Sequence, residues 1–229
     1  MKDFAEGTSI SSAETYLQSI EGAGNSEFML GANTSRIYFE DPKLLLFTMS
    51  RYKFVSKMLS GFNRVLEIGC QEAFGSTIVA KEVGTLHCID FYQPHIDSCV
   101  SRFKKESTNM SFQCKDIITD QELKGFDAVY ALDVLEHIEK KDEDKFMQSS
   151  LNAMTTNSLM ILGMPSIESQ RYASDRSRIG HVNCKSGSEL KEFAGRFLLN
   201  AQVFCMNDEV LHTGFYPMAQ YLFAVGIKK

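Results

Sequence analysis

The sequence predicts an α/β protein in which a mainly parallel, seven-stranded sheet carries helices on both faces. Two observations predict this class. From Arg64 onward, short apolar runs alternate five times with amphipathic stretches of helical period, the arrangement that produces a parallel sheet. Two further apolar runs follow, and the loop of roughly ten residues between them is too short for a helical crossover. We therefore expect a C-terminal antiparallel strand pair at one edge of the sheet.

Seven apolar runs account for the strands, and amphipathic stretches separate most of them. The predicted strands are 65–68, 86–89, 110–114, 126–132, 159–163, 201–206 and 219–227. The predicted helices between them are 76–83, 94–105, 142–154 and 188–199. Residues 164–187 are polar and basic and show no period, so we expect a loop there.

A helix and a polar arm precede the first strand. Asp41 followed by Pro42 is a good helix start, because Asp caps free backbone N–H groups and Pro suits the first helical position. Gly61 is a suitable end for this helix. Before it, residues 1–34 are rich in small and polar side chains, with one short helix predicted near 13–20.

These patterns divide the chain into two parts. Residues 1–60 form an N-terminal arm or lid with a helix, and residues 61–229 form the main domain. We expect the segment Glu27–Tyr38 to fold over the ligand site, where it would exclude water.

The composition excludes several classes of function. With 24 Lys and Arg against 29 Asp and Glu, the net charge is −5, so broad sequence-independent binding to nucleic acid is not expected. No apolar run approaches the ~18 residues of a membrane span, and the N-terminus lacks the apolar core of a signal peptide. We expect a cytoplasmic protein that acts on a small molecule. The sequence does not indicate an oligomeric state.

The cysteines and histidines give no metal or disulfide signature. The six Cys are dispersed without a C-x-x-C pair, which is typical of reduced thiols packed as small apolar side chains. The five His show neither H-x-x-x-H nor H-E-x-x-H spacing. The sequence therefore gives no support for a metal site.

Acidic residues lie at the ends of four predicted strands. They are Glu67, Asp90, Asp116 and Asp133. Ligands of open α/β sheets bind beyond the carboxyl ends of the strands, and carboxylates at the rim of a buried sheet cost desolvation unless they bind something. A ligand rich in hydroxyl and amine groups would account for these four side chains.

The segments around these acids resemble the motifs of class I S-adenosylmethionine-dependent methyltransferases, which have a Rossmann-like fold. Val65-Leu66-Glu67-Ile68-Gly69-Cys70 is similar to the first strand and glycine turn of that family, and Asp90 follows Glu67 by 23 residues. Lys115-Asp116-Ile117 matches the adenine-contacting position of the family. The run 126–138 (FDAVYALDVLEHI) is similar to its fourth-strand signature. The resemblance covers residues 64 to about 163 and is weaker beyond.

The resemblance implies S-adenosyl-L-methionine as cofactor and S-adenosyl-L-homocysteine as product. Gly69 would let the backbone approach the methionine part, Asp90 would bind the ribose hydroxyls, and Asp116 the adenine amine. The implied cofactor-binding residues are Glu67, Gly69, Cys70, Phe74, Asp90, Phe91, Asp116, Ile117 and Asp133.

The glycine turn departs from the family pattern. Gln71 and Ala73 stand where further glycines are expected, and Gln71 crowds the turn more than Ala73 does. Gly75 offers some compensation. The aromatic face of Phe74 is a candidate partner for the cationic sulfonium.

Several of these residues also have a plainer structural interpretation. Asp90 suits a helix N-cap, and Glu67 suits a turn or a cap. Asp133 could simply order its own loop. Cys70 is more typical of packing than of a nucleophile. His137 is as consistent with a structural role as with a catalytic one.

Two loops on the ligand side carry the candidates for acceptor binding. The first, 166–186, holds three Arg within eight residues. Arg binds phosphate and carboxylate bidentately, although a solvated loop is the plainer interpretation. The second loop joins the last two strands and also contains Asp208. The candidate acceptor-binding residues are Arg171, Tyr172, Arg176, Arg178, His181, His212 and Tyr216.

The candidate catalytic residues are His181, Asp133 and His137. Arg178-Ile179-Gly180-His181-Val182-Asn183 resembles the Gly-His segment of many family members. His181 is our first choice of general base, since an oxygen or nitrogen acceptor often has to lose a proton. A structural role for His181 is the alternative.

We therefore expect a methyl transfer from S-adenosylmethionine to an oxygen or nitrogen of a small, anionic acceptor. The pattern, including 41–47 and 50–55, resembles small bacterial methyltransferases of sugar and surface-polysaccharide pathways, which favours a sugar, sugar nucleotide or phosphorylated metabolite. A natural-product or lipid-linked phenol is the alternative acceptor. A catalytically silent cofactor-binding regulatory module is the alternative from another class.

Overall fold

A computed structural model describes residues 11–22, 28–104, 108–120 and 122–229. The predictions that fall on residues 1–10, Glu27 and Lys105 lie outside these ranges.

One eight-stranded sheet forms the centre of the fold. Its strands are β1 (Arg64–Ile68), β2 (Thr85–Asp90), β3 (Met110–Cys114), β4 (Phe126–Leu132), β5 (Met154–Pro165), β6 (Leu198–Asn207), β7 (Val210–His212) and β8 (Tyr221–Lys228). Their order is β3-β2-β1-β4-β5-β8-β6-β7. The first five pair in parallel, whereas β8 runs antiparallel to both β5 and β6. The predicted α/β class, with a Rossmann-like parallel part and a C-terminal antiparallel pair, is confirmed.

The prediction of seven strands is wrong by one. The eighth, β7, lies in the segment predicted as a plain loop, and it pairs with β6 through Cys205 and His212. Three residues are too few to show a strand period, and Asp208 closes the hairpin with a left-handed φ of 50°. The predicted pair also lies one strand inside the edge, because β7 is the edge strand.

Eight α-helices lie in the described ranges. They are α1 (Ser12–Gly22), α2 (Ala32–Glu40), α3 (Pro42–Met58), α4 (Ser76–Ala80), α5 (Gln93–Phe103), α6 (Glu143–Ala153), α7 (Asp175–Gly180) and α8 (Gly187–Phe197). As predicted, α3 begins at Pro42, and the Asp41 carboxylate caps it by accepting from the Leu44 N–H at 3.4 Å.

The expectation of a plain loop over 164–187 is wrong. This segment contains the 3₁₀ turn Glu168–Tyr172 and the helix α7. Ser174 caps α7 by accepting from the Ser177 N–H at 3.2 Å. Both elements are too short to show a helical period, which explains why the sequence gives no sign of them.

The helices cover both faces of the sheet, as predicted. On one face, α3, α4 and α5 bury apolar side chains that include Val55, Val79 and Cys99. On the other face, α6 and α8 bury side chains that include Phe146 and Leu190. None of the helices in the described ranges is both long and apolar enough to cross a membrane.

The strand order fixes the position of the site. From β1 the chain moves outward through β2 to β3, then returns to add β4 on the other side of β1. Ligands of open α/β sheets bind at the carboxyl ends of the strands beside such a reversal.

Candidate active site

A cleft of about 570 Å³ opens at the carboxyl ends of β1 to β4. Small-molecule sites commonly enclose ~300–1,000 Å³. Its lining residues are Ile68, Gly69, Gln71, Asp90, Phe91, His95, Lys115, Asp116, Ile117, Ile118, Asp133, Val134, His137 and Ile138. Of the residues predicted to bind cofactor, Gly69, Asp90, Phe91, Asp116, Ile117 and Asp133 lie in this lining.

The turn after β1 holds the backbone close to the cleft. Gly69 has a φ of 79°, its N–H donates to the Ile89 carbonyl at 2.8 Å, and a Cβ at this position would overlap the Val134 side chain. Gln71 and Ala73 also adopt left-handed conformations, with φ of 48° and 53°. The residues that depart from the family pattern therefore occupy the backbone conformation that favours glycine.

The Asp90 carboxylate is buried at the end of β2 and is held by backbone donors. Its Oδ2 accepts from the Gln71 N–H and its Oδ1 from the Tyr92 N–H, both at 2.9 Å. His95 Nδ1 lies 3.3 Å from the same Oδ1. Each carboxylate oxygen can accept more than one hydrogen bond, so Asp90 keeps capacity for hydroxyl donors in the cleft.

A second acidic position follows β3. The Asp116 Oδ1 accepts from the Ile118 N–H at 2.9 Å, which orders the loop. Two apolar residues line the same part of the cleft. Ile117 is buried, whereas Phe91 is 77% exposed. An acid beside apolar side chains suits a flat, amine-bearing ring.

Three residues predicted to bind cofactor lie outside the cleft lining. Glu67 is buried under the turn, where it accepts from the Tyr52 hydroxyl at 3.0 Å and from the Cys88 thiol at 3.4 Å. Burial raises the pKa of Glu67, and its hydrogen-bond donors oppose that rise. Cys70 is buried and Phe74 is half-buried. The cofactor roles of Glu67, Cys70 and Phe74 remain predictions.

Asp133 lies between the cleft and the helix α3. It has a left-handed φ of 55°, and both of its carboxylate oxygens accept from Arg51 Nη1, at 3.1 and 3.0 Å. The guanidinium carbon of Arg51 lies 3.9 Å from the centre of the Tyr221 ring. Burial alone would lower the pKa of Arg51, but the negative charge of Asp133 raises this pKa above the usual value. The guanidinium therefore stays charged.

His137 lines the cleft, and His181, which lies outside the lining, has its ring beside that of His137. Their rings are 5.1 Å apart and nearly perpendicular. Nδ1 of His137 donates to the Gly180 carbonyl at 2.8 Å, and Nδ1 of His181 donates to Gln170 Oε1 at 2.8 Å. Burial and the neighbouring His137 lower the pKa of His181, so its ring is neutral at pH 7.

The adjacent residue Glu136 explains how two histidines that are distant in sequence come together. Its carbonyl oxygen accepts from the Val182 and Asn183 N–H groups, at 2.8 and 3.0 Å, and this ties the His181 segment to the end of β4. The Glu136 side chain is fully buried, and neither carboxylate oxygen has a partner among the described residues. Burial and Asp133 raise its pKa well above the ordinary value.

The predicted acceptor residues before His181 lie outside the cleft lining. The guanidinium carbon of Arg171 lies 4.8 Å from the centre of the exposed Tyr172 ring, and Arg178 pairs with Asp175. The Arg176 side chain lies outside the part of the chain that the structure describes. The roles of these residues remain predictions.

The candidates on the second loop also lie away from the cleft lining. His212 is half-buried on β7, opposite Cys205. Tyr216 packs closely against Gly187, at the start of α8. Asp208 forms the turn between β6 and β7.

Sequence reasoning missed several residues of the site. Arg51 is beside Tyr52, which the helical period places on the buried face of α3, so this period was the available signal. His95, five residues after Asp90, and Lys115, immediately before Asp116, also line the cleft. Their closeness in sequence to Asp90 and Asp116 was the only sign of this.

Comparison with known proteins agrees with this geometry. Residues 65–157 match the family model of a methyltransferase domain. The matched segment spans 93 of the 229 residues and is similar to a methyltransferase domain. A ubiquinone biosynthesis O-methyltransferase of Coxiella burnetii (strain RSA 493 / Nine Mile phase I) is 26% identical to the protein over 90 residues. That match covers 38% of each chain, so the protein matches little more than a third of the length of this curated relative.

Solved structures share the fold of this protein. The N-methyltransferase NodS from Bradyrhizobium japonicum WM9, in complex with S-adenosyl-L-homocysteine, superposes with a TM-score of 0.57 at 17% identity, over 92% of this chain and 97% of NodS. The [4+2]-cyclase SpnF gives a TM-score of 0.60 at 13% identity, over 79% and 80%. One fold therefore serves different reactions, and the reaction has to be argued from the site.

Proposed function

We propose that the protein transfers a methyl group from S-adenosyl-L-methionine to an oxygen or nitrogen of a small acceptor, releasing S-adenosyl-L-homocysteine. One observation carries the proposal. The cleft joins a buried, backbone-held carboxylate at Asp90 to His137, whose ring lies beside that of His181. The family match and the S-adenosyl-L-homocysteine bound in NodS support the same reaction.

The residues of the inner cleft fit this cofactor. Asp90 would accept from the ribose hydroxyls and Asp116 from the adenine amine, while Gly69 gives the methionine part access to the backbone. When bound, S-adenosylmethionine supplies an electrophilic methyl group on a cationic sulfonium. Asp133 lines the cleft with a carboxylate that Arg51 already binds, so Arg51 fixes the position of that negative charge.

The pair His137 and His181 fits an acceptor that has to lose a proton. The Nδ1 atoms of His137 and His181 both donate to fixed oxygens, so Nε2 is the ring nitrogen left without such a bond. On the neutral ring of His181, Nε2 carries a lone pair. A hydroxyl needs such help more than an amine does, which favours an oxygen acceptor.

An anionic acceptor is the first choice of substrate class. Arg171 and Arg178 are exposed on the segment that leads to His181, on a protein of net charge −5. A sugar, sugar nucleotide or phosphorylated metabolite, including one of a surface-polysaccharide pathway, would carry an anionic group that Arg171 and Arg178 could bind.

A phenolic acceptor is the second candidate. Tyr172, Ile179 and Val182 are 78%, 82% and 58% exposed around the same segment, which gives it an apolar surface. A ring carried by a natural product or a lipid would cover that surface. The similarity to a ubiquinone biosynthesis O-methyltransferase supports the same candidate.

Titration with S-adenosylmethionine tests the cofactor half of the proposal. We expect wild-type protein to bind and Asp90→Ala to bind at least about 100-fold more weakly, since two hydrogen bonds to a charged group are lost. The matched control is Asp97→Ala, which removes an exposed carboxylate from α5 and should keep the wild-type dissociation constant. An unchanged constant in Asp90→Ala, or no binding by wild type at ~1 mM cofactor, would refute the assignment.

Release of S-adenosylhomocysteine over an acceptor panel tests the transfer itself. Phosphorylated sugars and sugar nucleotides form one arm, and phenols the other. We expect His181→Ala to lower kcat by about 100-fold or more while the cofactor dissociation constant stays within about threefold. His87→Ala, which removes a histidine of β2 that lies outside the cleft lining, is the control. Turnover at the wild-type rate in His181→Ala removes this residue from the mechanism, and binding without turnover across both arms favours a silent module.

A further inference from the structure

Three potential metal ligands converge beside the cleft, and one of them, His137, lines it. Glu136, His137 and His181 each offer one ligand atom, and these atoms all lie within 4.8 Å of one another. The backbone fixes this arrangement, because the Glu136 carbonyl binds the segment that follows His181. Gly180 packs closely against the His137 ring, where an added Cβ would lie 3.2 Å from two ring atoms.

The Glu136 carboxylate lacks a compensating partner. Its side chain is fully buried, and no hydrogen-bond donor within the described ranges reaches either oxygen. Arg51, whose positive charge acts on Glu136, already binds both carboxylate oxygens of Asp133. An unpaired buried carboxylate costs several kcal/mol, so this position needs either a proton or a cation.

The two histidines have the hydrogen bonds that metal-binding histidines usually have. A ligating imidazole commonly donates its other N–H to a backbone carbonyl or a similar acceptor, which fixes the tautomer and the ring orientation. Nδ1 of His137 does so to the Gly180 carbonyl and Nδ1 of His181 to Gln170 Oε1. The Gln170 amide nitrogen in turn donates to the Ser166 carbonyl at 3.2 Å, which fixes the orientation of that amide.

We propose that Glu136, His137 and His181 form a binding site for a divalent transition-metal cation such as Zn²⁺ or Mn²⁺. Two imidazoles and one carboxylate suit these ions, and three protein ligands leave at least one position open, as in catalytic zinc sites. Ligands about 2.1 Å from a common ion lie about 3.5 Å apart, so the present cluster has to contract by about an ångström on binding. This site revises the expectation, drawn from histidine spacing, that the protein has none.

The site has a consequence for the acceptor that rests on the proposed function. His137 lines the cleft, so an open position of the cation would be accessible to an acceptor oxygen. A hydroxyl held there would lose its proton to solvent more readily, as water does on Zn²⁺. The lone pair of His181 would then bind the cation rather than act as a general base.

Isothermal titration of the full chain, freed of any affinity tag, with ZnCl₂ and MnCl₂ tests the site without cofactor or acceptor. We expect one ion to bind per chain. Glu136→Gln should weaken binding at least about 100-fold, because it removes the charged ligand. The matched control is Glu139→Gln, which removes an exposed carboxylate three residues away and should bind as wild type does.

Thermal unfolding gives a second measurement and covers variants that fold poorly. Zn²⁺ should raise the Tm of wild type and of Glu139→Gln, but not that of Glu136→Gln or His181→Gln. If Glu136→Gln fails to fold, His181→Gln carries the same prediction. Absence of binding by wild type at ~1 mM of either ion, or equal binding by wild type and both ligand variants, overturns the site. Such a result would overturn the metal site alone. The proposed methyl transfer is tested separately, by cofactor titration and by S-adenosylhomocysteine release over the acceptor panel.

Discussion

The turn after β1, called the cofactor turn from here on, contains two residues in a conformation that L-amino acids avoid. Gln71 and Ala73 have positive φ, and the Gln71 N–H is one of the two backbone groups that hold Asp90. A side chain in the left-handed region costs roughly 1–2 kcal/mol. The turn therefore keeps a geometry useful for binding at the expense of stability, as strained functional sites often do.

We expect Gln71→Gly to stabilise the protein by about 0.5–1 kcal/mol, because glycine adopts this conformation without steric cost. Ala73 is a less direct test, since it is buried and its methyl group contributes to packing. Urea unfolding measures the change as a higher midpoint at constant m-value. Ser101→Gly, in an exposed position of α5, is the control and should lose about 0.5 kcal/mol. A lower midpoint for Gln71→Gly would show that the turn is not strained at this residue.

At the scale of single residues, the sequence is most informative where chemistry and strand ends coincide. Asp90, Asp116 and Asp133 can be found because a carboxylate at the end of a buried strand is costly without a ligand. Arg51 and Glu136 cannot be found in the same way. Their roles depend on which element packs against them. The helical period of α3 indicates that Arg51 lies near the buried face, but it does not identify Asp133 as its partner.

The helix α2 is attached to the cofactor turn through Glu72. This buried carboxylate accepts from the Asn33 and Thr34 N–H groups, both at 2.9 Å, and from the Thr34 hydroxyl at 3.0 Å. Asn33 also donates to Gln71 Oε1 at 2.9 Å. The N-terminal segment predicted as a lid thus binds the turn itself. A movement of α2 would therefore shift the turn that contacts the cofactor.

We expect Glu72→Gln to increase hydrogen exchange of the α2 amides by about 30-fold at pH 7, equivalent to about 2 kcal/mol for hydrogen bonds to a charged group. Burial alone would raise the pKa of Glu72, but the bonds from Asn33 and Thr34 hold it below the ordinary value. The stabilisation is therefore present above the unfolded pKa of ~4.3 and is lost as pH falls through the lower, folded pKa.

Glu40→Gln is the control for this experiment, because Glu40 is an exposed carboxylate at the other end of α2 and pairs with Arg36. It should leave exchange of the helix nearly unchanged. Equal protection in Glu72→Gln and wild type would mean that other contacts hold α2 in place.

Among the elements, length decides what the sequence can predict. The helix α3 and the strand β4 are predicted closely because several turns or alternations repeat their pattern. The strand β7 and the helix α7 are too short to repeat anything, and both form through tertiary contacts or local caps.

A buried ion pair connects two segments of the main domain that are about 40 residues apart in sequence. Lys185 Nζ lies 2.6 Å from Glu143 Oε2, with both side chains less than a tenth exposed. Asn183 donates to the same oxygen at 2.9 Å and accepts from Lys185 at 3.0 Å. The pair fixes the segment after His181 to the helix α6.

We expect Lys185→Met to destabilise the protein by about 3 kcal/mol, because it leaves the Glu143 charge buried without its partner. Turnover should fall further than cofactor affinity, since the segment carrying His181 loses its anchor. Urea unfolding and the S-adenosylhomocysteine release assay measure the two effects. The double variant Glu143→Leu/Lys185→Met should recover most of the stability. A double variant less stable than Lys185→Met would contradict this account.

On the scale of the whole molecule, the sequence predicts the sheet and the cofactor end of the cleft better than the acceptor end. The motifs around β1, β2, β3 and β4 are local in sequence, so their order along the chain is enough to predict the cofactor end of the cleft. The pairing of His137 with His181 depends on a backbone contact between distant segments. No spacing rule for metal or catalytic histidines covers such a case.

The inserted position of β8 has a consequence for biosynthesis. Because β8 lies between β5 and β6, these two strands have no direct hydrogen bonds to each other. A ribosome releases β5 and β6 first, and both must wait with an open edge until residues 221–228 emerge. Exposed edges of this kind invite pairing with other chains. Nascent chains arrested before Tyr221 should therefore be the species most dependent on chaperones.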